Sequence, residues 1–543
     1  MPNLPIRDLG AVGVITDQDP FTLPLNAFTR AKNVRFSQGE VTRSPCFREV
    51  QSFSNFSYGV PRWMYTLYST GGFDELIIID TGFDAFFYSN GSYTGAYNSG
   101  AGLSDAPVTM MELANVVYAN RPDLAPIAKG PQATSFTTLA NWPSTYRCNS
   151  LRSFGDFAIA LNTVEGGTSF PTRVRFSDIA LGNQVPSSWD ETDTTKSAGF
   201  NDLVQMGTPI VDGLSLGSNF LIYSSDQVWL MEYVGGTFIF NFRKLFDDAG
   251  VISQNCITEV NGKHYVFDSD DIYVTDGLSK QSICEGRVRQ YIFNGLDNGK
   301  KGSCFVHYDS RRDEVYFCYK SNDDMAVYVD DGVDYDGCNR AAVYNVVNDT
   351  WSFVDMPNVI VGSEMNVSSS ATYDNTTLTY DTAGGTFASQ AAGFDRHSVM
   401  MGRMMTAQGV NNHFIYALDG IDENSQVSKP IKTEVMQPIK LERVGIDLDE
   451  LQIPLSGYKN IRKMLPQFST VASDKTFDVT MGAADLPNAT PNYGPTYNFN
   501  SDTEHKIDAR SAGRYLSYKV TTPTDKDFDI SGFDFDIITT GRR

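Results

Sequence analysis

The stretch Asn219-Phe220-Leu221-Ile222-Tyr223-Ser224-Ser225-Asp226-Gln227-Val228-Trp229-Leu230-Met231 decides the fold. Two apolar runs, Phe220–Tyr223 and Gln227–Met231, flank a polar turn, a pattern that reads as two paired strands. Further on, Ile257–Val260 and Lys263–Phe267 flank Asn261-Gly262, and Asn-Gly supplies the positive φ angles of a tight hairpin. A third strand, Ile272-Tyr273-Val274, ends at Asp276-Gly277, and Glu314–Tyr319 and Ala341–Asn345 continue the texture. Upstream, Arg152 to Leu161 (RSFGDFAIAL) is a strand entered through Gly155-Asp156. Phe220, Tyr265 and Tyr316 mark successive modules at the roughly 40–50-residue period of four-stranded propeller blades. Ala342-Val343-Tyr344-Asn345 followed by Thr350-Trp351-Ser352-Phe353 has the form of a kelch-type blade. The expectation is an all-β protein built on a β-propeller; a series of ordinary β-sandwiches is the alternative.

Composition narrows the classes. A chain of 543 residues can bury a large core and suggests about two to four domains. The 35 Phe and 27 Tyr, with 45 Gly in no three-residue period, exclude disordered and fibrous classes. A net charge of −22 argues against a surface that grips nucleic acid, because phosphate binding needs clustered Lys and Arg. It leaves room for a protein that handles DNA without holding it. Met1-Pro2-Asn3-Leu4-Pro5-Ile6-Arg7-Asp8 lacks the basic-then-apolar order of a signal peptide. The densest apolar run, Leu76-Ile77-Ile78-Ile79, stops at Asp80, far short of a membrane span. No two of the seven cysteines (46, 148, 256, 284, 304, 318, 338) stand at metal-ligand spacing, so thiols in a reducing cytoplasm are expected.

The chain divides into an N-terminal strand segment (1–55), the propeller (56–360), a Ser/Thr/Gly/Met-rich insertion (361–411) and a C-terminal β-rich, sandwich-like platform (412–543). The N-terminal segment is expected to join that platform. Residues 182–207 are polar and loop-like. The insertion echoes Thr372-Tyr373-Asp374 in Thr379-Tyr380-Asp381 and closes on Met400, Met401, Met404 and Met405, candidates for a tip, a gate or a fibre dock. An inserted hairpin packed on its own domain is the plainer reading.

Catalytic signatures fail when tested. Gly213-Leu214-Ser215-Leu216-Gly217 matches G-x-S-x-G, but a strand follows where a nucleophile elbow needs a helix, so Ser215 belongs to a Gly-rich turn. Asp334-Tyr335-Asp336-Gly337 has Gly332 and Val343 where a calcium loop wants acids, so Asp330, Asp331, Asp334 and Asp336 read as a solvated loop. Asp268, Asp270 and Asp271 read as turn caps. Gly299-Lys300-Lys301-Gly302 lacks the glycine and hydroxyl of a phosphate loop. The five histidines (264, 307, 397, 413, 505) show no zinc-helix spacing, although His264 and His307 could meet in space. No catalytic residue, metal site or cofactor is expected.

The N-terminal stretch Asp19-Pro20-Phe21 … Ala31-Lys32-Asn33-Val34-Arg35-Phe36-Ser37-Gln38-Gly39-Glu40-Val41-Thr42-Arg43 is a strand, Asn33–Phe36, turned at Gln38-Gly39 into Glu40–Arg43. It resembles the opening of the tail-tube and nozzle proteins of short-tailed phages (podoviruses), the packaged-DNA-stabilising tail proteins. Pro171–Asp178 with Trp189, the hairpins from Gly217 to Gly277, and the ending Asp508-Ala509-Arg510 … Gly513–Ser517 … Ser531–Asp536 … Gly541-Arg542-Arg543 are similar to elements of the same family. The resemblance thus touches both ends and the middle of the chain. Cys46 departs from it, standing where a glycine is more usual, and residues 361–408 have no counterpart.

The resemblance implies a non-enzymatic virion component made in the host cytoplasm and placed at the tail tip below the portal and adaptor. It would be a homohexameric ring that retains packaged DNA and conducts it during ejection. Implied partners are the adaptor (head-to-tail connector), tail fibres or tailspikes, and double-stranded DNA passing without specific binding; no membrane is implied. Arg35, Arg43, Arg514, Arg542 and Arg543 are then candidates for inter-subunit or inter-domain ion pairs, each contributing about 0–1 kcal/mol if exposed; ordinary solvated charges are the plain alternative. Two rival functions stand beside this one. The first is a propeller hydrolase or lyase acting on polysaccharide, with Asp268 or Asp271 paired with Asp309 across a funnel. The second is a kelch-like module binding host protein or glycan.

Overall fold

The computed structural model describes residues 3–53, 60–68, 74–89, 92–236, 238–322, 337–366, 396–405, 411–419, 439–448, 457–522 and 526–540. The acidic run 330–336, most of the 361–411 insertion, Arg542 and Arg543 lie outside them, as do the side chains of Met404 and Met405. The protein is all-β, in several antiparallel sheets; the one α-helix among the described residues is Arg289–Gly295. No helix among them is long and apolar enough to cross a membrane.

Five four-stranded meanders follow one another along the chain. The first is Pro61–Leu67, Glu75–Asp80, Ala85–Ser89 and Ser92–Tyr97; the second is Thr109–Leu113, Val116–Asn120, Ile127–Lys129 and Thr137–Thr138. The third is Arg147–Phe154, Phe157–Glu165, Thr168–Phe176 and Gly199–Asp202; the fourth is Ile210–Leu216, Asn219–Ser224, Val228–Tyr233 and Phe240–Phe246. The fifth is Ile257–Val260, Lys263–Phe267, Ile272–Thr275 and Lys280–Ser282. Its Asn-Gly turn forms as read, with φ of 53° at Asn261 and 74° at Gly262.

The sixth sheet has seven strands: Phe305–Asp309, Glu314–Tyr319, Cys338–Asn345, Thr350–Asn366, Arg396–Met405, Asn411–Asp419 and, from the other end of the chain, Cys46–Phe53. The long strand Thr350–Asn366 changes partner midway. Its first part pairs with Cys338–Asn345 and its second, past a register shift between Val359 and Val361, with Arg396–Gly402. The sheet is therefore two four-stranded halves sharing one strand. Strand pairing runs across the sequence boundaries at 360/361 and 411/412. Cys46–Phe53, assigned above to the N-terminal segment, belongs to this sheet.

Why these runs are apolar throughout follows from where the sheets sit. Side chains alternate between faces of a strand, so a run without alternation has both faces covered. Ile77 and Ile79 pack toward Val117, Ala119 and Ile127 of the second sheet. Leu76 and Ile78, on the opposite face, meet Val361, Val399 and Ile415 of the sixth. The second and third sheets share Tyr118, Leu151 and Ala160. The third and fourth share Leu161, Val174, Phe220 and Ile222. Leu221 and Tyr223 face Val266 and Ile272 of the fifth, which in turn meets Val315 and Phe317 of the sixth. Tyr316, Met400, Phe414 and Tyr416 fill the space between the halves of the sixth sheet. The order of contacts returns to its starting point.

The remaining strands form two antiparallel sheets around one core. In the first, Val34–Ser37, Glu40–Arg43, Asp529–Thr540, Tyr458–Ser469 and Ser511–Gly513 follow in order, with Asn3–Arg7 also on Asp529–Thr540. In the second the order is Arg30–Lys32, Lys440–Ile446, Tyr515–Thr521, Thr476–Ala484 and Asn492–Asn500. Between them Tyr518 meets Phe533 edge-on at 4.8 Å and Phe468 lies 5.1 Å from Phe477. The expected Gln38-Gly39 turn is present, at φ of 52° and 81°.

Phe47 anchors the strand that closes the sixth sheet: it is buried and its ring sits edge-on to Tyr416 at 6.0 Å. Phe47→Ala is expected to destabilise the protein by about 3–5 kcal/mol in urea denaturation. A loss below about 1 kcal/mol would show that the closing strand is dispensable.

Candidate functional site

Two polar constellations stand out among the described residues, one where the opening strands of the sheets converge and one where the terminal sheets meet the sixth sheet. In the first, Ser150 and Arg152 lie on one face of Arg147–Phe154 by strand alternation. Arg152 makes a two-pronged pair with Asp212, Nε to Oδ1 at 2.9 Å and Nη2 to Oδ2 at 2.6 Å. Ser150 Oγ donates to Asp212 Oδ1 at 2.6 Å, and the Asn255 N–H to Oδ2 at 2.9 Å. Arg152 Nη2 also donates to Asn255 Oδ1 at 2.8 Å, while Asn255 Nδ2 reaches the Val108 carbonyl at 3.0 Å. The second to fifth sheets are thereby tied at one point.

Burial pushes the Asp212 carboxyl up, but the Arg152 guanidinium and the Ser150 and Asn255 hydrogen bonds outweigh it and hold the group below its ordinary value. Beside it, Trp63, Gly213, Leu214, Ile257 and Val306 leave a cavity of only about 80 Å³. These side chains leave little free space at the convergence point.

The second constellation holds the sequence candidate Arg35. Its Nε meets Glu314 Oε1 at 2.8 Å, joining strand Val34–Ser37 to the sixth sheet. Glu314 is buried, which raises its carboxyl, with Arg35 as the leading offset. Asn33 Nδ2 donates to Asp355 Oδ2 at 3.1 Å, and the Asp355 N–H to Asn33 Oδ1 at 2.9 Å. The Asn33 N–H adds a bond to the Phe353 carbonyl at 2.8 Å.

Arg43 donates to the Asn33 carbonyl at 3.0 Å. The carbonyl of Arg514, on the terminal sheets, accepts from Lys459 Nζ at 2.8 Å. Arg35 and Arg43 lie on the two strands of one hairpin, and Arg514 stands beside Lys459 on the terminal sheets. Met400 and Met401 are fully buried in the sixth sheet, facing its other half and the first sheet respectively.

The carboxylates named for a polysaccharide enzyme are each engaged locally. Asp268 accepts the Gly250 and Ser269 N–H groups at 2.8 and 2.6 Å; Asp271 accepts from Ile272 N and Ser282 Oγ at 2.9 and 2.6 Å. Asp309 pairs with Arg312 at 2.9 Å. His264 sits between the Tyr223 hydroxyl and the Ser215 carbonyl, at 2.8 and 2.9 Å, and burial lowers it to about 4, so it is neutral at pH 7. His307 lies on the sixth sheet against Gly362. Ser215, read from the sequence as part of a Gly-rich turn, lies instead inside the strand Ile210–Leu216, paired with Phe220, and the turn falls after it at Gly217-Ser218. The seven cysteines are buried as thiols. Among the described residues, no three or more His, Cys, Asp or Glu converge as metal ligands.

Reading along the chain missed Arg152, Asp212 and Asn255, because the partners lie 60 and 103 residues apart and carry no local motif. The one available signal was a charged residue, Arg152, near the end of a strand, Arg147–Phe154, that turns at Gly155-Asp156 into Phe157–Glu165.

No family model and no curated protein matches the chain. Among solved structures it is similar to two crystals of BBS1N in complex with ARL6DN, soaked with mercury and with lead. These cover 71% of this chain and 100% of theirs at 8% identity, with TM-scores of 0.38 and 0.37. The computationally designed Ika8 protein is similar over 68% of this chain and 99% of its own, at 8% identity and a TM-score of 0.36. Likenesses this distant carry no argument about this chain.

Arg152→Met leaves Asp212 buried without its counter-ion and is expected to cost about 3–5 kcal/mol at pH 7. Asp212 is depressed in the folded state, so its contribution exists above the ordinary carboxylate range and fades as pH falls through its folded value. The gap between variant and wild type in denaturation should narrow on acidification. A gap independent of pH would refute this assignment.

Proposed function

We propose that this chain is the tail-nozzle subunit of a short-tailed phage, a structural protein whose copies surround a DNA conduit, retain the packaged genome and pass it on ejection. One observation carries the reading. The hairpin of Val34–Ser37 and Glu40–Arg43, where the family resemblance is strongest, pairs with the C-terminal strand Asp529–Thr540, which holds its closing motif. The same segment is bonded to the sixth sheet through Arg35–Glu314 and Asn33–Asp355. Stretches far apart in sequence, singled out by one resemblance, thus meet at a single joint.

The closed order of sheet contacts supports a β-propeller of seven four-stranded units, the sixth sheet supplying the last two. The two terminal sheets then form a sandwich-like platform beneath it. Because Arg152, Asp212 and Asn255 fill the convergence point, the conduit runs between copies of the chain rather than through one subunit. A net charge of −22 per copy suits a wall that repels a passing duplex. The adaptor above and fibres or tailspikes at the side are the partners this role calls for, in the virion tail.

Electron microscopy of the purified protein, alone and with its adaptor, is expected to show rings with a central hole. A strictly monomeric species at high concentration in the presence of the adaptor would overturn the proposal, as would polysaccharide turnover abolished by Asp268→Asn.

A further inference from the structure

Between Glu75–Asp80 and Ala85–Ser89 of the first sheet, the turn Asp80-Thr81-Gly82-Phe83-Asp84 carries two buried carboxylates. Asp80 Oδ1 accepts the N–H groups of Gly82 and Asp84 at 2.8 and 2.9 Å, and Asp84 Oδ1 accepts the Ser99 N–H at 2.7 Å. The second oxygen of each remains. Both lie on the Gly82 side of the turn: a Cβ there would stand 3.7 Å from Asp84 Oδ2 and 3.8 Å from Asp80 Oδ2. Asp80 is 0% exposed, yet its Oδ2 accepts no hydrogen bond among the described residues. The fifth sheet provides a contrast, since Asp268, also closing a second strand, spends its Oδ2 on the Gly250 N–H at 2.8 Å.

The nearby cation does not resolve the charge. Arg121 donates Nη1 to the Thr81 carbonyl at 2.6 Å, while its Nε and Nη2 are taken by Asp123 at 2.7 and 3.0 Å. An ionised carboxylate out of water with an unused oxygen is costly unless a counter-charge sits on it. We propose that Asp80 and Asp84 form a binding site for one divalent, oxygen-liganded cation of the calcium class. Water completes its coordination, and the ion fastens this turn to the segment around Ser99. Two carboxylates, rather than three or more, place the site at the weak end of the calcium range, with a dissociation constant on the order of 10⁻⁴ M.

The test uses the full chain stripped with EDTA at pH 7.5 and titrated with CaCl2. Calorimetry should show one saturable site, the unfolding midpoint should rise by about 1–3 °C at saturation, and amide exchange should slow in peptides covering 80–84 and 99. Asp84→Asn, which keeps an oxygen for the Ser99 N–H, should abolish binding while leaving the circular-dichroism spectrum intact. Should that variant fail to fold, the exchange map on wild type still locates the ion. The proposal fails if calcium does not bind, or if binding persists in Asp84→Asn or protects a different segment such as 330–336. It also fails if stability ignores calcium but rises on acidification from pH 7 to 5, which marks a proton shared by the two carboxyls.

Discussion

Burial of both faces of nearly every sheet is the constraint from which the rest follows. A strand such as Leu76-Ile77-Ile78-Ile79 offers apolar side chains in both directions, and a single neighbour would leave half of them in water. At about 25 cal/mol per Å² of apolar surface, that exposure is not tolerable for a sheet of this size. A line of such sheets would end in two bare faces, whereas a closed order has none. The first sheet is accordingly covered by the second on one side and by the last strands of the sixth on the other.

The chain ends cooperate in building these sheets. Cys46–Phe53 completes the sixth sheet, pairing with Asn411–Asp419, so the last strand of the series comes from before the first. The residues just upstream, Val34–Arg43, are held by Asp529–Thr540. One continuous N-terminal segment therefore stitches two bodies of sheet together. The joint is polar as well as apolar: Arg35 answers the buried Glu314 across 279 residues of sequence, and Asn33 satisfies both backbone and side chain of Asp355. A buried acid with its counter-ion on another body fixes their mutual placement more sharply than apolar contact alone, because leaving either charge unpaired is heavily penalised.

The centre is treated the same way. Asp212 gathers donors from the strand Arg147–Phe154 and from Asn255 just ahead of Ile257–Val260, and Arg152 spans it to Asn255. Apolar side chains there would not distinguish one sheet from its neighbour, whereas a carboxylate with four donors accepts a single arrangement. Local strand chemistry builds the sheets, and a few buried charges align them.

Much of this was legible in order along the chain. The hairpins at Asn261-Gly262 and Gln38-Gly39, the strands around Phe220 and Tyr265, and the module spacing follow from propensity, turn chemistry and two-residue alternation, all of which act over a few residues. The acidity was equally plain. What the sequence could not reveal was that Thr350–Asn366 would serve two partners, that Met400 and Met401 would be core, or that Arg152, Asp212 and Asn255 would meet. Strand pairing and ion pairing between residues tens to hundreds of positions apart depend on how the sheets pack against one another, and only the tertiary structure contains it.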